Sequence, residues 1–189
     1  MIHAKDSKGT FYSLIKKNKT PIVFIHGVGL NSTIWKSQIN YFNNTTLTYD
    51  ILGHGKTNLN KSKICFAEFS VQLLNLIDDL NFEKIHLVGF SIGSLIARNF
   101  ATNYNDRLSS LILLCSVFKR TREQQQIVND RFELTKKSKT LSKQALKRWF
   151  SDDYLEKNPE TYKDICSMLD QNNMENFLKV YELFVNHKD

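Results

Sequence analysis

Residues 84–98 leave this chain few possible folds. They open with a short apolar run, continue with Gly89-Phe90-Ser91-Ile92-Gly93, and end with apolar residues at helical spacing. The pattern predicts a buried strand, a tight turn and a helix, with Ser91 at the apex of the turn. The flanking positions are small, so the strand and the helix can approach closely. A nucleophilic serine needs this geometry, because amides at the helix N-terminus then face the attacked oxygen.

Apolar runs of strand length alternate with helical patterns in the first part of the chain. Besides the run at 84–98, strands are predicted at residues 10–16, 22–25, 45–49 and 108–117. We expect the first of these to be a marginal edge strand and the last to be buried. Amphipathic helices are predicted from residue 31 or 32 to about 42, and over 67–80. Strands that alternate with helices indicate a parallel sheet with helices on both faces.

The character of the sequence changes at Phe118, after which no comparable strand-like run occurs. Amphipathic helices are predicted at residues 124–137, 142–150, 159–169 and 174–185. We therefore expect an α/β core at residues 1–117 and a helical cap or lid at residues 118–189.

Composition limits the classes of partner. The net charge is +7, but the excess is spread out and no nucleic-acid motif accompanies it, so a solvated basic surface is expected and no nucleic-acid partner. The apolar stretches are far too short to cross a membrane and the N-terminus has no apolar signal region, which favours a cytoplasmic protein without a membrane partner.

Cys65, Cys115 and Cys166 lack metal-type spacing, so we expect reduced core thiols and no metal site.

Two more motifs follow predicted strands: His26-Gly27-Val28-Gly29 and Asp50-Ile51-Leu52-Gly53-His54-Gly55. With Gly89-Phe90-Ser91-Ile92-Gly93 they form an ordered set, each at the C-terminal end of a strand. The set resembles the α/β-hydrolase fold superfamily, in its branch of cap-bearing serine hydrolases, and its details are most similar to enol-lactonases and carboxylesterases. The resemblance covers essentially the whole chain. It implies a mostly parallel sheet with flanking helices and a helical cap, but without the last strands of the family's pattern.

The resemblance also implies roles for individual residues. Ser91 would be the nucleophile that attacks a small ester, lactone or thioester and forms an acyl-enzyme, without a cofactor. The backbone amides of Val28 and Ile92 would form the oxyanion hole. Motif support is expected from four residues: His26, Gly27, Gly89 and Gly93. The alternative for Ser91 is a serine that only caps the following helix.

Other titratable residues are weaker candidates for catalysis. Asp50 and His54 look like half of a triad, but their motif in the family shapes a loop near the pocket. The remaining candidates are expected to be structural or terminal: His86 in a strand, His3 at a frayed N-terminus, and Trp35 and Phe90 in simple packing.

The triad acid and the histidine base are missing from the pattern. In the family they follow the nucleophile on later strands, and the position after the strand before the cap reads Cys115-Ser116, with no carboxylate. His187 and Asp189 stand at the end of the chain, where no scaffold holds them. The expectation is therefore that this chain contains neither triad partner.

Three accounts of the ending stay open: a C-terminally truncated fragment of a longer enzyme, which we favour, a short product that has lost both groups, or a partner chain that supplies the strands. An incomplete sheet would expose an unpaired edge and favour self-association. The alternative function is a non-catalytic binding protein on a hydrolase scaffold. A third option keeps Ser91 but uses it for acyl transfer or C–C cleavage.

Overall fold

The computed structural model describes residues 1–137 and 141–188 of the chain. Its sheet has six strands: β1 (Ile2–Lys5), β2 (Phe11–Ile15), β3 (Ile22–Ile25), β4 (Thr46–Tyr49), β5 (Ile85–Phe90) and β6 (Leu108–Leu114). They lie in the order β1-β2-β4-β3-β5-β6. The pairs β1/β2 and β2/β4 are antiparallel, whereas β4, β3, β5 and β6 run parallel. The predicted α/β class with a mostly parallel sheet is confirmed.

Eight α-helices accompany the sheet in the described part of the chain: α1 (Lys36–Ile39), α2 (Phe66–Asp79), α3 (Ile92–Asn103), α4 (Arg122–Lys137), α5 (Ser142–Trp149), α6 (Asp152–Lys157), α7 (Pro159–Asp170) and α8 (Met174–Val185). The helix predicted from residue 31 or 32 is shorter than expected: a 3-10 turn, Ser32–Trp35, capped by Asn31, leads into α1. Helix α6 was not predicted as a separate element, because its six residues are too few to establish a period.

The central strands are buried on both faces, as their continuous apolar runs require. On one face Val23 and Leu87 pack with Leu73 of α2 and Ile96 of α3. On the other face Phe24 packs against Trp35, with ring centroids 5.1 Å apart. The parallel strands thereby lie between two helical layers, with their carboxyl ends at one edge.

The helices that follow β6 have an apolar cluster of their own. It includes Leu146 of α5, Leu169 of α7 and Phe177 of α8. Val180 of α8, however, belongs to the core cluster of the sheet. Helix α8 thus connects the helical part to the sheet, while the division at residue 117 stays a prediction.

Two expectations about the N-terminal residues are wrong. Strand β2 is not an edge, because β1 pairs with it on the outer side. His3 is not frayed: it lies in β1, and its Nδ1 is 2.8 Å from Oγ of Ser13. β1 has only four residues, too short to show a clear alternation of polar and apolar positions.

Strand β6 is the second edge, and the expectation that it is buried is also wrong. Its residues 111–114 are all apolar, yet each side chain is 37–40% exposed. In the described part of the chain no strand pairs with its outer side.

The cysteines also depart from expectation: all three are free, but Cys65 and Cys115 are exposed rather than in the core.

Candidate active site

Ser91 lies at the junction of β5 and α3, as predicted from residues 84–98. Its backbone has φ 57° and ψ −119°, a conformation that a non-glycine residue adopts only when the surroundings enforce it. The Ser91 amide donates to the carbonyl of Leu114, 2.9 Å away, at the end of β6. The Ser91 side chain makes no cap hydrogen bond to α3. The alternative role of Ser91 as a helix cap therefore has no support from a hydrogen bond.

The glycines on either side of Ser91 allow the strand and the helix to touch. A Cβ atom on Gly89 would lie 2.3 Å from the carbonyl oxygen of Gly93. A Cβ atom on Gly93 would lie 2.6 Å from the carbonyl oxygen of Ile25 and 2.7 Å from that of His26. All three distances are shorter than real carbon–oxygen contacts, so any larger residue would push α3 away from β3 and β5.

The loop after β3 lies directly beside this turn. A Cβ on Gly27 would be 3.0 Å from the ring of Phe90 and 3.5 Å from Cβ of Ser91. Val28 and Ser91 line the same cavity. In the described part of the chain, neither the Val28 amide nor the Ile92 amide donates to a protein acceptor. Both are therefore available to an oxygen atom of a bound molecule.

Two buried histidines hold this loop in place. Nδ1 of His26 donates to the carbonyl of Gly27 (2.8 Å), and Nε2 of His26 accepts from the amide of Ile51 (3.1 Å). Nε2 of His54 accepts from the amide of Gly29 at 2.9 Å. An acceptor nitrogen carries no proton, so both rings are neutral. Burial lowers the pKa of His26, and burial together with the neighbouring His26 lowers the pKa of His54 to about 3.

These contacts leave neither His26 nor His54 in a position to accept a proton from Ser91, because the nitrogens already serve the loop. Asp50 is occupied in the same way: Oδ1 accepts from the amide of Ser32 and Oδ2 from the amide of Lys56, each at 2.8 Å. The motif around residue 50 therefore supports the loop after β3, and Val28 of that loop lines the cavity with Ser91.

The cavity above Ser91 has a volume of about 130 Å³. It is walled by the turn, the loop after β3 and the helices that follow β6. Its described lining comprises Val28, Ser91, Arg131, Thr135, Leu141, Ala145, Arg148, Trp149, Leu169, Phe177, Tyr181 and Phe184. The volume is below the roughly 300 Å³ at which cavities for drug-sized ligands begin, so the space suits a small molecule.

No histidine, aspartate or glutamate is found among these described lining residues. His187 lies elsewhere, with its ring 5.3 Å from the ring of Phe66. Nor do the described residues contain a group of three His, Cys, Asp or Glu side chains placed to hold a metal ion. The same residues include no helix long and apolar enough to cross a membrane.

Sequence reasoning identified the turn and the loop but missed the helical side of the cavity. Arg131 and Arg148 sit in patterns that resemble ordinary solvated helix faces, and nothing local distinguishes them from other basic residues. Trp35 and Phe90, which were assigned to packing, form an edge-to-face pair with centroids 6.5 Å apart and are not among the lining residues. His86 is half-buried, with Nδ1 2.8 Å from Oγ of Ser110.

Comparison with known proteins identifies relatives of this chain. The family model described as alpha/beta hydrolase fold matches residues 20–161. The (E)-2-((N-methylformamido)methylene)succinate hydrolase of Acinetobacter baylyi is 29% identical over 166 residues, which are 87% of this chain and 62% of the relative. The 3-oxoadipate enol-lactonase 2 of the same organism is 21% identical over 181 residues, covering 95% of this chain and 68% of the lactonase.

Solved structures show the same fold. The enol-lactonase from Burkholderia xenovorans superposes with a TM-score of 0.83 at 21% identity, covering 98% of this chain and 74% of the lactonase. An esterase from Thermogutta terrifontis gives a TM-score of 0.81 at 20% identity, with 98% and 73% covered. The chain therefore spans between three fifths and three quarters of the length of these four proteins.

Proposed function

Because the chain belongs to the alpha/beta hydrolase fold family, we propose that it hydrolyses small esters, lactones or thioesters through an acyl-enzyme on Ser91. The observation that carries the proposal is the backbone of Ser91: a strained serine on a strand-to-helix turn, opening into a small cavity. The relatives named a hydrolase and an enol-lactonase support the hydrolytic reaction. Both are named for molecules that carry carboxylates.

In the proposed reaction Oγ of Ser91 attacks the acyl carbon while a base takes the hydroxyl proton. The carbonyl oxygen becomes an oxyanion, which the amides of Val28 and Ile92 stabilise. Their contribution lowers the barrier, because the charge develops only at the tetrahedral stage. The intermediate then collapses: the bond to the leaving alcohol or thiol breaks, and that group takes the proton from the base. Water attacks the acyl-enzyme by the same route and releases the acid.

The base has to come from outside the described lining of the cavity. The end of β6 lies beside Ser91, since the Leu114 carbonyl accepts from the Ser91 amide. A parallel strand added beyond β6 would end at the same edge of the sheet, where its following loop can reach the serine. We place the acid and the histidine on such strands, either further along the same polypeptide or on a partner.

Covalent labelling tests the proposal. The full polypeptide that carries residues 1–189 is treated with a fluorophosphonate and digested with trypsin, which releases residues 85–98 as one peptide because Lys84 and Arg98 bound it. We expect the phosphonyl mass on this peptide. Ser91→Ala should abolish it, and Ser109→Ala, which removes an exposed serine of β6, should retain it. A folded wild-type protein with an unmodified peptide would overturn the proposal.

A second candidate is a non-catalytic binding protein on the same scaffold. It is favoured by one observation, the lack of a histidine, aspartate or glutamate among the described residues that line the cavity. In that case the full polypeptide would bind a small acyl compound, leave Ser91 unlabelled and release no product. Labelling of Ser91 together with product release would reject this candidate.

A further inference from the structure

Two guanidinium groups share the cavity with Ser91. Arg131 comes from α4 and Arg148 from α5, and both line the space into which Ser91 opens. Arg131 is half-buried, whereas Arg148 is exposed to solvent as well as to the cavity. Because both line the same cavity, their charges act on each other: desolvation, and then the charge of Arg131, lower the pKa of Arg148.

The other arginines with described contacts are satisfied by the protein. Arg107 pairs with Asp78 at 2.7 Å, Arg120 donates to the carbonyls of Phe184 and Val185 at 3.0 Å each, and Arg98 donates to the carbonyl of Val117 at 2.9 Å. These contacts fix helix ends and loops, so each of the three has a structural reason to be where it is.

Unlike Arg107, neither Arg131 nor Arg148 forms an ion pair with a carboxylate of the described residues. Arg131 interacts with the hydroxyl of Tyr181, and Arg148 lies 5.8 Å from the ring centroid of Trp149. Neither a neutral hydroxyl nor an aromatic ring cancels a full positive charge. No acidic side chain is among the described residues that line the cavity, so it carries two positive charges.

Two like charges at a small, partly desolvated site repel each other, and an anion between them relieves that repulsion. A guanidinium matches a carboxylate in shape and offers two parallel N–H donors, which makes arginine well suited to binding carboxylates. The rest of the lining is mostly apolar, with Leu169, Phe177 and Phe184 among its members. The site thus combines two guanidinium groups, a mostly apolar lining and Ser91.

We infer that Arg131 and Arg148 bind a carboxylate of the substrate, so that the acyl compounds held against Ser91 are small esters, lactones or thioesters with a second, ionised carboxyl group. The inference rests on the proposed function for the identity of the reacting bond, but the binding of a carboxylate does not depend on catalysis. Substrate selection would then follow from charge: a neutral ester of the same size lacks the group that the two arginines bind.

Binding to a variant without the nucleophile tests the inference separately from catalysis. In Ser91→Ala the intrinsic fluorescence of Trp149, which lines the cavity, reports occupancy. The second tryptophan, Trp35, packs against Phe24 and Phe90 and is not among the described lining residues. Monomethyl glutarate and methyl pentanoate are matched ligands, since they differ only in a carboxylate in place of a methyl group. We expect the glutarate ester to bind at least about tenfold more tightly, as a charge-assisted pair is worth about 1.5 kcal/mol or more.

Variants of the two arginines test whether these residues cause the tighter binding of monomethyl glutarate. Arg148→Gln in the same background should remove about tenfold of the affinity for monomethyl glutarate and leave that for methyl pentanoate unchanged. Arg131→Gln should act in the same direction, with thermal unfolding followed in parallel because Arg131 also contacts Tyr181. Lys147→Gln is the matched control, since it removes one exposed positive charge from α5 without altering the described lining.

Equal binding of the two esters, or binding of neither, would overturn the inference. So would an equal loss in Lys147→Gln and Arg148→Gln, which would indicate a general attraction to the basic surface. Failure here with successful labelling of Ser91 would leave a hydrolase of neutral substrates. Success here with no labelling would leave a carboxylate-binding protein without the proposed reaction.

Discussion

At the scale of single residues, the two buried histidines show how a polar motif can be structural. His26 and His54 are both fully buried, and Nε2 of each accepts a hydrogen bond from a backbone amide. The Gly29 amide that His54 binds belongs to the loop that carries Val28. A protonated ring could not accept this hydrogen bond, so the shape of the loop requires the neutral form.

This requirement predicts a loss of stability in acid. The pKa of His54 is about 3 in the folded protein, below its ordinary value of 6.5. As the pH falls from 6.5 towards 3, the unfolded chain therefore binds a proton that the folded chain excludes, and stability decreases. The contribution is complete above pH 6.5 and decreases by roughly 1 kcal/mol per pH unit below it. His26, whose pKa is also lowered, adds to the same trend.

Urea unfolding at pH 7.5 and at pH 5 measures the effect. His54→Gln should weaken the pH dependence, and His3→Gln, at an exposed histidine of β1, should leave it as in the wild type. Proton NMR of the wild type gives a second readout, in which the His54 ring should not titrate between pH 7.5 and pH 5. A ring that titrates near its ordinary value would contradict the assignment.

Single residues also mark the limit of sequence reasoning about the site. Ser91 could be placed from sequence because its neighbours in the chain create the turn. Arg131 and Arg148 could not, because their closeness to Ser91 arises from the packing of α4 and α5, which local periodicity does not encode. In the sequence, the charges of Arg131 and Arg148 have the same pattern as those of a solvated helix face. Only the folded structure shows that both residues line the cavity.

At the scale of elements, the close crossing of β5, α3 and β3 depends on two glycines, Gly89 and Gly93, which have no side chain. Gly93 is where α3 passes over the end of β3, with the Ile25 and His26 carbonyl oxygens at 2.6 and 2.7 Å from an added Cβ. Rigid backbone on both sides cannot yield as the end of a flexible side chain would.

We therefore expect Gly93→Ala to destabilise the protein by about 3 kcal/mol, the upper range for an overpacked core. Gly9→Ala is a matched control: Gly9 has φ +88°, but nothing lies within 4 Å of an added Cβ. Only backbone strain of about 1 kcal/mol is expected there. Chemical denaturation of both variants measures the difference, and equal losses would show that the crossing is less tight than described.

The elements were predicted well where the sequence shows a continuous apolar run or a sustained helical period, as in the four-residue strand β3. The pattern over residues 84–98 and the four helices predicted after residue 117 have close counterparts in β5/α3 and in α4, α5, α7 and α8. β1 and α6 were missed because, unlike the four apolar residues of β3, their few residues form no continuous apolar run and establish no period. β6 was placed correctly but expected to be buried, since an apolar run has the same appearance at an edge as in the centre.

At the scale of the whole molecule, β6 leaves the sheet unfinished in the described part of the chain. Its seven residues contain no charge, although charged residues are the usual protection of an edge strand against pairing with another chain. Apolar side chains stand on both faces of this edge, with Leu111 beside Leu87 and Ile112 beside Val88. Because β6 carries no charge, its open edge has no electrostatic protection against pairing with β6 of a second copy of this chain.

We propose that the 189-residue chain self-associates by pairing β6 with β6 of a second copy. Sedimentation at rising protein concentration should show a dimer or a larger species. Ile112→Lys should shift the equilibrium towards the monomer, because it places a charge on the edge. Ile127→Lys is the control, since Ile127 is 56% exposed on α4, away from the sheet. A monomer at every concentration, or the same shift in both variants, would contradict the pairing.

The most direct test of the account is to look for the acyl-enzyme itself. The full polypeptide is mixed with 4-nitrophenyl hydrogen glutarate, quenched in acid within seconds, digested with trypsin and analysed by mass spectrometry, with 4-nitrophenyl pentanoate as the neutral counterpart. We expect a glutaryl group on Ser91, within the peptide of residues 85–98, at a higher yield than the pentanoyl group. An unmodified peptide, or acylation only at other residues, would contradict the central claim that Ser91 is the nucleophile.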